Sequence, residues 1–208
     1  MSDLEKKSLI PIYKTDLEKN QVILSNVLLM LSRRIYIDEK EDSQPLYAID
    51  EKADAKIEVE ADNTYVFKTL NKKKYALRIS YHKLISIGKQ SQITSFIDDY
   101  PDHVKILVAS DFKPAIAEYA TKHKVQLYKE DFFLEDILAY IEQPKYVLLS
   151  PKQMEQVKAE YGVTNYTILK TTRSDAVVKY LGLKKGDIYK VVRPSPVAGF
   201  CFAYRIVM

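Results

Sequence analysis

A single cysteine, Cys201, excludes an internal disulfide and points to a reducing compartment. Its expected place is a small apolar position in the core of a strand. No apolar run approaches the roughly 18 residues that a membrane helix requires, so no membrane partner is expected. The start, Met1-Ser2-Asp3-Leu4-Glu5-Lys6-Lys7, does not show the charged-then-apolar pattern of a secretory signal. Glycine is scarce. Gly88, Gly162, Gly182, Gly186 and Gly199 never stand closer than four positions apart, which excludes a glycine-rich phosphate loop. The histidines His82, His103 and His123 are scattered and, with one cysteine, cannot complete a zinc site. No nucleophile motif accompanies them. Neither a catalytic residue, a metal nor a cofactor is therefore expected.

What is present is enough for a folded protein. Hydrophobic residues make up 47% of the 208 positions, and a chain of this size buries roughly 70% of its unfolded surface, as one large domain or two small ones. The net charge of +4 conceals an asymmetry. Residues 1–142 carry 21 Lys and Arg against 24 Asp and Glu, whereas residues 143–208 carry 11 against 4, a net of −3 and of +7. A uniformly basic nucleic-acid binder is not built that way. The partner of the cationic third is either nucleic acid or an acidic protein surface.

Hydrophobic spacing predicts a helix from Asp16, as its cap, to Ile35, then a loop from Asp38 to Pro45. Strands are expected at Ala55–Glu60, Tyr65–Phe67 and Tyr75–Tyr81. A helix at Gly88–Tyr100 turns Ile93, Phe96 and Ile97 inward. It precedes a buried strand at Val104–Ala109, a helix at Phe112–His123, a strand at Val125–Tyr128 and a helix at Phe132–Ile141. This alternation predicts an α/β layered domain. The charge sign changes at Gln143-Pro144-Lys145, which marks the boundary between domains 1–142 and 143–208. Beyond it, Ser150-Pro151 opens a helix that Gly162 ends, a short strand lies near Thr167–Lys170, and a helix runs from Asp175 to Gly182. Two closing strands, Asp187–Arg193 and Phe200–Val207, complete a small α+β unit. The chain stops on Tyr204-Arg205-Ile206-Val207-Met208, an apolar end where most chains turn polar, so a buried strand is expected there.

Three features could carry chemistry. Glu58 and Glu60 share a strand face, as a metal-dependent nuclease requires, but the expected lysine two residues further is missing and a solvated edge explains the pair. Lys72-Lys73-Lys74 lies in a turn, as a hairpin tip would. Lys113-Pro114-Ala115 opens a helix directly after an apolar strand, where free backbone N–H groups can meet a phosphate or simply begin a helix. In the closing strands, Ile188, Lys190 and Val192 alternate with Tyr189, Val191 and Arg193. Both faces are partly apolar, as for a strand covered once by its own helix and once by a partner. Arg193 and Arg205 are expected on adjacent strands, presenting guanidinium groups to carboxylates of a larger subunit or serving as surface salt-bridge residues.

Ser174-Asp175, Tyr180-Leu181-Gly182-Leu183-Lys184-Lys185-Gly186-Asp187, Arg193-Pro194-Ser195, Gly199 and Tyr204-Arg205 together resemble the carboxyl domain of the fifth subunit of eukaryotic RNA polymerases and the archaeal counterpart of that subunit. The likeness runs from Pro144 to Met208. The amino-terminal part is similar in outline to the family's jaw domain, which the archaeal counterpart lacks. Two departures stand out: the family's Asp-Pro-Val is Asp175-Ala176-Val177 here, and its Leu-Pro-Arg is Ile168-Leu169-Lys170. The divergence, with heavy Lys, Ile and Tyr usage, is compatible with a large DNA virus.

The resemblance implies a non-catalytic subunit with an N-terminal jaw of mixed sheet flanked by helices and a C-terminal assembly domain. The assembly domain would dock on the largest polymerase subunit, with other subunits nearby. The assembly interface it implies comprises Tyr180, Gly182, Leu183, Gly186, Arg193 and Arg205. Lys113, Pro114 and Ala115 fall where the family has a Thr-Pro-Ser-Ala turn near downstream duplex DNA, for which weak, non-specific contact is expected. The implied location is the nucleus for a cellular enzyme, and a cytoplasmic viral factory or the virion for a viral one. The rival readings are a free-standing nucleic-acid-binding module and the nuclease.

Overall fold

A computed structural model of the protein describes residues 15–34, 57–60, 62–69, 73–88, 91–140, 143–162 and 167–208. The expected loop at Asp38–Pro45, the start of the first expected strand at Ala55-Lys56, Lys72 of the lysine turn and the helix end at Ile141 lie outside the described residues. No described helix is long and apolar enough to cross a membrane.

Helix α1 spans Asp16–Arg33, and Thr15 rather than Asp16 is its cap. The Thr15 hydroxyl accepts from the Glu18 amide while the Glu18 carboxylate accepts from the Thr15 amide, the reciprocal pair that a Thr-x-x-Glu sequence encodes. One face of α1, with Ile23, Val27, Met30 and Leu31, is fully buried.

The first sheet has the order β1-β2-β3-β4-β5: β1 (Glu58–Glu60), β2 (Thr64–Lys68), β3 (Lys74–Ser80), β4 (Val104–Ala109) and β5 (Gln126–Lys129). β1, β2 and β3 pair antiparallel, whereas β3, β4 and β5 run parallel. The parallel strands are joined by helices α2 (Gln92–Asp99) and α3 (Pro114–Lys122). Alternation assigns the two faces. Leu77, Ile79, Ile106 and Val108 face α1, and Ala76, Leu107 and Ala109 face α2 and α3 through Ile93, Phe96, Ile116 and Ala120. A strand buried on both faces has to be apolar at nearly every position, as β4 is.

The expected helix at Phe132–Ile141 is a single turn, α4 (Asp131–Leu134). Glu135 is extended, and the Asp136 carboxylate accepts from the Leu138 amide and from Arg33 of α1. The side-chain bonds give the backbone an alternative to the helix and turn it there. Phe132 and Phe133 anchor the turn edge-to-face, with ring centroids 5.1 Å apart.

The second sheet has the order β6-β8-β9-β7: β6 (Lys145–Leu148), β7 (Leu169–Thr171), β8 (Ile188–Ser195) and β9 (Gly199–Val207). Helix α5 (Pro151–Glu160) starts at Ser150 with a capping box to Gln153, and α6 (Ala176–Leu181) starts at Asp175, whose carboxylate accepts from two amides. α5 covers Ile188 and Ile206 on one face, and α6 covers Tyr189, Val191 and Val207 on the other. Both coverings of β8 thus come from the chain's own helices, where the sequence pattern suggested that a partner supplies one. The far half of the hairpin outgrows both helices. Cys201, expected in the core, is exposed there.

Packing makes a stability contrast. Ile106→Ala, at a fully buried site on β4, is expected to lower unfolding free energy by about 3 kcal/mol. Ile85→Ala, at a site 59% exposed, is expected to change it by less than about 0.5 kcal/mol. Urea denaturation of both variants measures the difference.

Candidate functional site

The end of α1 is the junction between the two sheets. Arg34, its C-cap, is 5% exposed. Its Nε donates to the Tyr180 carbonyl at 2.7 Å, one terminal nitrogen donates to the Gln126 amide oxygen at 2.9 Å, and the other to the Tyr128 hydroxyl at 2.9 Å and the Lys179 carbonyl at 3.1 Å. A guanidinium has donors enough to join α1, β5 and the end of α6 at once, and there it adds to the bonds of the Lys179 carbonyl and reaches that of Tyr180. The neighbouring Arg33 bonds Asp136 at 2.6 Å and the Tyr180 hydroxyl at 3.0 Å. That hydrogen bond holds the Asp136 carboxyl below its ordinary range against the opposing effect of burial.

Four of the six expected assembly residues serve this internal architecture. Tyr180 is only 2% exposed and its hydroxyl accepts from Arg33, so its side chain is engaged within the chain. Gly182 caps α6 at φ +68°, and a Cβ there would stand 3.1 Å from the Arg34 guanidinium carbon. Leu183 is half-buried beside α6 and β8. Gly186, at φ +91°, donates its N–H to the Val207 carbonyl at 2.8 Å and fastens the turn to the last strand. Ile206 and Val207 are buried, in agreement with the expected terminal strand.

Arg193 and Arg205 differ from these four. They lie on adjacent strands, as expected, opposite Cys201 and Tyr189. They share a face and flank a shallow hollow of about 160 Å³ floored by Cys201 and Ala203. On the opposite face of the hairpin, Phe200 is 68% and Phe202 53% exposed. Tyr204 continues this row and meets Tyr161 of the α5 terminus at 5.5 Å. Lys190 Nζ stands 4.4 Å from the Phe202 ring centre, a cation over an exposed aromatic face. Phe200 and Phe202 thus form an exposed aromatic pair on this face.

A second group lies at the carboxyl ends of the parallel strands, where open α/β sheets place their functional loops. Lys113 caps α3 without a side-chain bond, and Pro114 occupies the first turn. Phe112, just before them, bridges Leu84, which brings the Lys83 segment alongside. Asp111 bonds Lys83 at 2.6 Å and Lys129 at 2.8 Å. The hydrogen bond from Lys129, then that from Lys83, holds the Asp111 carboxyl far below its ordinary range and keeps it ionised. Lys83 and Lys129 therefore gather around one carboxylate, and Lys113 follows two residues along the chain from it. The sequence singled out only Lys113, because the other two lie on separate strand ends that the topology alone brings together.

The carboxylate pair of the nuclease reading is placed differently. Glu58 and Glu60 are exposed on the edge strand β1, and Glu60 accepts from the Tyr100 hydroxyl. Burial, then the bond to Glu60, pushes the Tyr100 pKa up to about 12. Among the described residues, no three His, Cys, Asp or Glu gather as metal ligands.

Residues 135–207 match the family described as RNA polymerase Rpb5, C-terminal domain. The chain is 40% identical over 202 residues to the DNA-directed RNA polymerase subunit 5 of Acanthamoeba polyphaga mimivirus, covering 97% of this chain and 98% of that protein. It is 28% identical over 126 residues to the DNA-directed RNA polymerases I, II, and III subunit rpabc1 of Dictyostelium discoideum, 56% of this chain and 64% of that one. It is also 40% identical over 65 residues to the DNA-directed RNA polymerase subunit Rpo5 of Methanothrix thermoacetophila, 31% of this chain and 83% of the archaeal one.

The junction has two measurable consequences. Gly182→Ala is expected to destabilise by about 1–3 kcal/mol, from the left-handed backbone and the crowding of Arg34. Gly162→Ala, also at positive φ but facing open space, is expected to cost about 1 kcal/mol. Because the folded Asp136 pKa is depressed, its stabilisation is present above the unfolded carboxylate range near about 4 and is lost as pH falls through the folded value. Asp136→Asn is expected to remove that part of the acid dependence in pH-resolved thermal melts.

Proposed function

The chain belongs to the family of the fifth subunit of DNA-directed RNA polymerases, and we propose that it docks on the largest subunit through the β8–β9 hairpin while its amino-terminal tip faces downstream DNA. It is a non-catalytic component of a multisubunit enzyme, similar over nearly its whole length to a viral subunit 5. The observation that carries the docking assignment is the exposed hairpin. Phe200, Phe202 and Arg193 lie beyond the cover of α5 and α6, and Arg205, opposite Tyr189, borders the same hollow as Arg193 on the cationic part of the chain.

In this reading, residues 1–142 form the jaw and residues 143–208 the assembly domain. Tyr180, Gly182, Leu183 and Gly186 shape the assembly domain from within, whereas Arg193 and Arg205 meet carboxylates of the largest subunit. Lys113, with Pro114 and Ala115 behind it, joins Lys83 and Lys129 in facing the phosphate backbone. The contact is weak and non-specific, since lysine on phosphate carries no sequence information. The protein acts wherever its polymerase acts: the nucleus for a cellular enzyme, the viral factory or virion for a viral one.

Two measurements test the assignment. The tagged full chain is expected to recover the largest subunit in a stable complex, and Arg193→Glu with Arg205→Glu to lower that recovery about 10-fold or more, as loss of desolvated charge pairs does. Undiminished recovery would contradict the docking face. In the assembled enzyme, Lys83→Glu, Lys113→Glu and Lys129→Glu together are expected to reduce the slope of log affinity for downstream duplex against log salt by about 2–3, with assembly unchanged. An unchanged slope would place the tip away from DNA.

A further inference from the structure

The two edges of the hairpin are not equivalent. Val207 donates its N–H to the Asp187 carbonyl at 3.0 Å and Met208 donates to the Thr171 carbonyl at 2.9 Å. Odd-numbered residues of β9 therefore turn their backbone groups toward β8 and even-numbered ones turn theirs outward. β7 meets that outer side only at Arg205, Ile206 and Val207. From Gly199 to Ala203 no described strand lies there. The Phe200 N–H is taken by the Ala198 carbonyl at 2.8 Å, which leaves the Phe200 C=O and both backbone groups of Phe202 facing outward. β8 is different. Its outward residues Lys190 and Val192 pair with β6, and the next outward position is Pro194, which has no N–H to offer. Proteins blunt exposed strand edges with proline and charge. One edge of this hairpin is blunted and the other, carrying two exposed phenylalanines, is not.

We propose that the β9 edge at Phe200–Phe202 receives an extended segment of the partner polymerase subunit as an added strand, with apolar residues on one face and Asp or Glu on the other. This rests on the docking reading above and specifies its mode. Side chains of an added strand alternate between faces. On one face they meet Phe200 and Phe202. On the other they meet the hollow between Arg193 and Arg205, whose floor of Cys201 and Ala203 is small enough to admit a carboxylate. Among the described residues neither arginine has an ion partner, so the incoming carboxylate supplies the missing charge. The +7 of residues 143–208 favours an acidic segment over a second copy of this same cationic surface.

The test is amide exchange on the full chain, free and within the assembled polymerase. The Phe202 amide is expected to exchange freely in the isolated chain and to slow on the order of 100-fold in the complex. Cys201, the sole thiol, is expected to lose reactivity toward a maleimide on assembly. Phe202→Pro removes an N–H that bonds nothing described within the chain, and is expected to lower recovery in the complex at least 10-fold while Phe202→Tyr retains it. If the proline variant melts early, the exchange measurement on the unaltered chain decides. Assembly with an open Phe202 amide would overturn strand addition and leave docking standing. Failure of the unaltered chain to assemble would overturn both. Protection of Phe202 in a dimer of the isolated chain, or by an oligonucleotide alone, would overturn strand addition in favour of self-pairing or nucleic acid.

Discussion

The architecture turns on the Arg34 guanidinium. Buried at the end of α1, it binds carbonyls of α6 and side chains of β5, and so ties the two sheets where the core of α1 runs on into Leu148 of β6 and Tyr180 and Leu181 of α6. An unpaired buried charge is strongly destabilising, so this site tolerates little drift in any of the three elements it joins. The requirement reaches further, because Gly182 must lack a side chain to leave Arg34 room, and the left-handed turn it makes sends the chain to Gly186 and β8. Arg33 and Asp136 add a second tie one residue away.

The hairpin has two regimes. Near the junction it is a conventional core strand pair, sealed by α5 and α6, with the Thr171 and Tyr189 hydroxyls 2.9 Å apart inside. Beyond the helices the same strands keep their alternation but lose their cover. That contrast separates residues that build the domain from residues that face outward. Tyr180, Gly182, Leu183 and Gly186 belong to the first set and Arg193 to the second, while Arg205, opposite Tyr189, stands at the border between them.

Much of the fold was legible because periodicity and caps act locally. The α2, β4, α3 and β5 succession, Ser150 with Pro151 before α5, and Asp175 and Gly182 at the ends of α6 all stand close to where the pattern puts them. Thr15 is less obvious, although its capping partner Glu18 stands three residues on, since Asp16 is an equally good cap by type alone. The helix after Phe132 is shorter than its pattern because Asp136 is committed to Arg33, more than a hundred positions earlier in the chain. Cys201 departs from its expected place because residue type predicts burial only where an element is covered, and the covering helices end before it. Of these lysines the sequence pointed only to Lys113, since Lys83 and Lys129 meet at Asp111 only through the parallel strand order. The resemblance in the closing residues pointed to the polymerase family, and the identity over nearly the full chain agrees with it.

The most direct measurement is an electron cryo-microscopy map of the polymerase assembled with this chain. The account predicts the β8–β9 hairpin buried against the largest subunit, the two sheets in the relation fixed by Arg34, and Lys83, Lys113 and Lys129 turned toward the downstream duplex. A map in which the hairpin projects into solvent and the chain is held by another face would contradict it.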